Sequence, residues 1–149
     1  MIFDSCIWLG LAAGQVDQQA VIAASGEASV FTSAISLGEL RFGVEACRVP
    51  AERAVRAAYL RQVESRPVLG VTKHTAAAFG VLAAAAKQAG PSPRPRYNHL
   101  WIAAQAIEHG YKLLTVNADD FLVCRDCGFD SRAHSSKVTD NPVSPLRAK

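Results

Sequence analysis

The sequence predicts an α/β domain built on a parallel sheet, and three observations lead there. Short apolar segments of strand character alternate with segments of helical period along most of the chain. Residues 112–116 (K-L-L-T-V) are short and mostly apolar, as befits a parallel strand covered on both faces. The polar turn Asn117-Ala118-Asp119-Asp120 then follows at the C-terminal end of that strand, where open α/β sheets place their ligands.

Each element has its own local signal. Ile2-Phe3 reads as a first strand ending in Asp4, and residues 6–13 as a first helix with Trp8 as core anchor. Residues 15–24 predict a second helix and residues 28–31 a second strand. Ser36 and Glu39 stand at capping-box spacing; equally, Glu39 could lie in the first turns of a helix and face the same mouth as Asp4. Residues 50–66 predict a surface helix with Val55, Ala58, Tyr59, Gln62 and Val63 inward and Arg53, Arg56 and Arg61 toward solvent. Residues 68–71 form a third strand, and Thr72 caps an alanine-rich helix that stops at Gly90-Pro91. Asn98 is placed to cap the next helix. Its apolar face is Leu100, Ala103, Ala104 and Ile107, and Gly110 sits where the chain must leave it in a left-handed conformation.

Composition narrows the class. With 149 residues, half of them hydrophobic and 19% charged, residues 1–128 have the makings of one folded domain. Residues 129–149 are polar and rich in Ser, Pro and Asp, the composition of a poorly ordered tail. The net charge of +3 permits an anionic partner. No basic leader precedes the first apolar residues, and the early uncharged run is too short to span a bilayer, so a cytoplasmic domain with reduced cysteines is expected. No glycine-rich loop follows the first strand, which removes the phosphate-cradling nucleotide folds. Asp4-Ser5-Cys6 lacks the second aspartate that a phosphoaspartate enzyme needs.

The basic loop before the Asn98 helix is informative. In P-S-P-R-P-R-Y the prolines restrict themselves and their predecessors, holding Arg94 and Arg96 in place. Guanidinium forks beside a helix N-terminus suit a phosphoester. Cys124 and Cys127, with His134, form only part of a zinc-binding pattern.

Four segments in order, F-D-S-C-I-W, S-L-G-E-L-R-F-G-V, N-H-L-W-I-A-A-Q-A and L-T-V-N-A-D-D-F, resemble the PIN-domain family, and within it the VapC-type ribonuclease toxins. The resemblance spans residues 1 to about 125. It implies a central parallel sheet flanked by helices, with carboxylates at the sheet edge binding Mg²⁺ or Mn²⁺ and cleaving RNA. Asp4 and Glu39 match metal-binding acids, Asn117 stands where the family has an acid or a polar substitute, and Asp120 matches the closing acid. His99 occupies a third acidic position, where an imidazole suits Mn²⁺, Zn²⁺ or Ni²⁺ better than Mg²⁺, and this departure implies weakened or absent activity. Clustered carboxylates repel, so the site is expected to be loose or partly protonated without metal. Arg94 and Arg96 would steer RNA. The resemblance further implies a homodimer and a small VapB-type antitoxin, with an apolar groove around residues 40–44. A catalytically silent module that holds RNA or antitoxin is the competing expectation.

Overall fold

The computed structural model describes residues 1–89 and 97–117. Among these residues four short strands form one all-parallel sheet in the order β3-β2-β1-β4: β1 (Ile2–Phe3), β2 (Phe31–Ser33), β3 (Val68–Leu69) and β4 (Leu113–Leu114). Six helices among the described residues cover it: α1 (Ser5–Ala12), α2 (Gln18–Ser25), α3 (Ala34–Glu45), α4 (Pro50–Glu64), α5 (Lys73–Ala89) and α6 (Tyr97–His109). No helix among the described residues is long and apolar enough to cross a membrane. The expected boundary near residue 128 and the polar tail lie outside the described residues.

Pleating divides the core. Successive strand residues point to opposite faces. Ile2 and Leu113 therefore join one cluster with Leu82, Leu100, Ile102 and Ala103, while Phe3 and Leu114 join a second with Ile7, Trp8, Leu40 and Val63. The doubly buried strand expected at residues 112–116 is thus present, in a shorter form. Trp8 anchors the second cluster, its ring 5.0 Å from Phe3 and covered by the Arg66 guanidinium at 5.4 Å.

Several expected boundaries shift, each for a local reason. Asp4 accepts from the Ser5 amide, so α1 begins at Ser5 rather than Cys6. Gly14, at φ +66°, turns the chain, and Asp17 caps α2, which starts three residues later than expected. The second strand forms at Phe31–Ser33, not residues 28–31, because Phe31 and Thr32 carry the pairing with β1. Ser33 caps α3 through the Ile35 amide; Ser36 lies inside the helix and the Ser36–Glu39 capping box does not form. In α4 Leu60 and Val63 are buried and Tyr59 packs partly buried against the same cluster; Val55 is 68% exposed and Gln62 also faces solvent, because this outer helix packs only a narrow stripe. Thr72 caps α5 as expected, accepting from the His74 and Thr75 amides. Gly110 closes α6 at φ +63°, with the Tyr111 amide reaching back to the Ala106 carbonyl.

Gly10 shows how closely α1 is packed. A Cβ there would overlap Cγ2 of Val16, a β-branched side chain with little freedom to turn away. Gly10→Ala should cost about 1–3 kcal/mol despite the better helix propensity of alanine, measured as a fall in the urea midpoint. A neutral or stabilised variant would refute this packing.

Candidate active site at the carboxyl edge of the sheet

All four strands are parallel, so the residues that follow them share one edge. Asp4 leaves β1 there and Thr115 leaves β4 beside it, joined by the Asp4 amide to the Leu114 carbonyl at 3.0 Å. Asp4 is fully buried, and its carboxylate is surrounded by donors. Oδ1 accepts from the Ser5 amide at 2.8 Å and lies 3.4 Å from Nδ1 of His99. Oδ2 accepts from the Thr115 hydroxyl at 2.9 Å and from the Cys6 thiol at 3.1 Å. Three hydrogen bonds and the imidazole contact thus converge on this one carboxylate.

Electrostatics follow from that shell. Burial works against ionising Asp4, but the hydrogen bond and charge of His99, with the Cys6 and Thr115 donors, outweigh it and hold the carboxyl below its ordinary range. Burial first, and then the Asp4 charge, push the Cys6 thiol up to about 11, so it stays protonated and donates. The expectation of a loose or partly protonated acid is therefore corrected at Asp4. The Cys6, Thr115 and His99 groups around it favour the charged form.

Glu39 reaches the same region from α3. The buried Ser5 and Ser36 hydroxyls meet at 3.0 Å and tie α1 to α3. Oε1 of Glu39 accepts from Nδ2 of Asn98 at 2.6 Å. Asn98 is thus not the cap expected of it: α6 already begins at Tyr97, and the Asn98 amide is spent across the chain on an acid. Consecutive residues of one helical turn, Asn98 and His99, meet the two acids Glu39 and Asp4. Asn117 is tied to the strand end by its backbone amide, which donates to Thr115 Oγ1 at 3.0 Å.

Thr115, Cys6 and Asn98 take roles in the site that the sequence did not assign to them. A signal was present for Thr115, a hydroxyl interrupting the apolar strand K-L-L-T-V at its carboxyl end. Asp120, Arg94, Arg96, Cys124, Cys127 and His134 lie outside the described residues. Among the described residues no group of three or more His, Cys, Asp or Glu side chains gathers closely enough to hold a metal ion. The chemistry of the donors still fits a divalent cation in kind. Asp4 is held anionic, carboxylate oxygens are hard ligands, and the imidazole makes Mn²⁺ a better match than Mg²⁺.

A PIN domain family model matches residues 1–123. The chain belongs to the PIN domain family. Its fold is similar to VapBC-5 of the VapBC toxin–antitoxin family from Mycobacterium tuberculosis, at 29% identity and a TM-score of 0.66 over 89% of this chain and 91% of that one. It is also similar in fold to VapBC-1 from nontypeable Haemophilus influenzae, at 22% identity and a TM-score of 0.67 over 85% and 94% of the two chains. VapBC2 from Rickettsia felis, bound to a promoter DNA fragment, gives 21% identity and a TM-score of 0.63 over 80% and 90%. No curated protein matches the sequence. The expected PIN architecture, an all-parallel sheet flanked by helices, is therefore the observed one.

Proposed function

We propose that this PIN domain is a metal-dependent endoribonuclease, the VapC-like toxin of a toxin–antitoxin pair, acting in the cytoplasm with its activity weakened by His99. The observation that carries the reading is the buried Asp4 carboxyl at the carboxyl edge of the sheet, 3.4 Å from His99, with Glu39 brought to the same turn of α6 through Asn98. In this reading Asp4 and Glu39, with His99, hold Mn²⁺ or Mg²⁺, and Asp120 and Asn117 complete the catalytic set. When bound, the cation supplies a lowered water pKa and neutralises charge growing on the phosphate. The chain does the rest. Thr115 and Cys6 fix the orientation of the Asp4 carboxylate, Asn98 fixes that of Glu39, and Arg94 and Arg96 steer the RNA backbone.

An apolar groove of about 610 Å³ supports the partner assignment. It lies between α1, α3 and α4, with Leu9, Leu40, Gly43, Val55 and Tyr59 in its lining and Glu52 and Arg56 among its charged residues. It includes part of the region expected around residues 40–44. Such a groove suits an amphipathic segment of a VapB-type antitoxin. A homodimer completes the proposed assembly.

The test is cleavage of a labelled RNA with Mn²⁺ and with Mg²⁺, each with a chelator control. Cleavage should be faster with Mn²⁺, and Glu39→Gln should reduce it on the order of 100-fold. Indifference to chelator, or to Glu39→Gln, would remove this reading. One observation favours a second reading, a silent binding module: Asn98 and His99 already engage the two acids. Retained RNA or antitoxin binding with no cleavage under either ion would select it.

A further inference from the structure

Proteins that bind single-stranded nucleic acid combine backbone contacts with aromatic rings on which bases stack. Tyr97 is the first residue of α6 and is 38% exposed. Asn98 and His99, the residues after it, meet the two acids. On α5, Phe79 stacks face to face on Trp101, with centroids 3.9 Å apart and planes 6° from parallel. Tyr97 meets the same Phe79 in a T-shaped contact at 5.6 Å and 80°. Tyr97 and Trp101 are four residues apart and share one side of the helix. Phe79 and Trp101 are partly buried, so the three rings form a ladder that ends at the exposed tyrosine.

We propose that Tyr97 is a stacking platform for an unpaired nucleobase of RNA bound at the site, a proposal that rests on the ribonuclease reading above. Aromatic side chains hold single-stranded nucleic acid through their faces, with little dependence on base identity. A ring steadied by packing loses little freedom when another ring stacks on it. Residues two apart on a helix project to opposite sides, so Tyr97 and His99 are separated by about the 10 Å width of α6. The stacked base therefore belongs to a nucleotide flanking the cleaved bond rather than to the bond itself. Single strands are the favoured ligand, because bases in a duplex have no free face to offer. Charge along the sequence agrees, since Arg94 and Arg96 immediately precede Tyr97.

Binding of a labelled single-stranded oligoribonucleotide, followed by fluorescence anisotropy with Ca²⁺ present, tests the platform in the full chain. Tyr97→Ala should weaken binding about tenfold, while Tyr97→Phe retains it. One abasic nucleotide, scanned along the strand, should erase the difference between Tyr97→Ala and the unmodified chain at a single position. A ring with a merely structural role would give no such position, and a scan without one overturns the proposal. Equal affinity of Tyr97→Ala and the unmodified chain overturns the platform and leaves the ribonuclease reading standing. Absence of any RNA binding by the unmodified chain overturns both. Loss of a dimer by Tyr97→Ala in sedimentation, with RNA affinity unchanged, assigns the ring to a subunit contact and also overturns the platform.

Discussion

His99→Asp is expected to raise Mg²⁺-dependent RNA cleavage by on the order of 10- to 100-fold over the unmodified chain. Nδ1 of His99 lies 3.4 Å from Oδ1 of Asp4, so the side chain at position 99 meets the first acid directly. Aspartate there would replace a ligand poorly suited to Mg²⁺ with a hard oxygen donor. Local structure accepts the change, because position 99 is in the first turn of α6, where the helix dipole favours an anion. The variant should also unfold at a lower temperature without metal, since it sets two carboxylates against each other, and recover on adding Mg²⁺. Cleavage rates and metal-dependent melting check the two parts separately. If both proteins are equally inert with Mg²⁺ and Mn²⁺, the nuclease reading loses its main support.

The second large effect concerns stability. Asp4→Ala should destabilise the fold by about 3 kcal/mol, combining a lost helix cap with buried donors left unpaired. Removing an acid from a self-repelling cluster would be expected to stabilise a metal-free protein. Here the sign is reversed, because Ser5, Cys6, His99 and Thr115 all converge on the same carboxylate. Acid sensitivity follows from the same shell. The folded pKa of Asp4 is below its unfolded value of about 3.9, so its stabilisation is fully present above that pH. It is lost as pH falls through the lower folded value. Urea unfolding below about pH 4 should therefore fall more steeply for the unmodified chain than for Asp4→Asn. An unchanged or raised urea midpoint for Asp4→Ala would show that the shell does not stabilise the fold.

The α/β alternation was legible because strand and helix signals are local. Apolar pairs such as Ile2-Phe3 and Leu113-Leu114 need only the pleat to feed two cores. Gly110 was equally legible, since a helix ending in a left-handed turn favours glycine. Boundaries were less so. Ser33 and Ser36 are both competent caps, and the register of β2 against β1 decides for Ser33. Val55 was expected inside because helical spacing gives the width of an apolar stripe but not whether a neighbour covers it.

For the site, sequence alone determined the composition: Asp4 at the tip of a first strand, Glu39 in its motif, and a histidine where the resemblance expects an acid. Tertiary structure alone decided their partners. Thr115 reaches Asp4 across 111 positions of chain, and Asn98 reaches Glu39 across 59. Side-chain hydrogen bonds act over about 3 Å, and no local pattern encodes which distant groups the packed helices will bring within that distance.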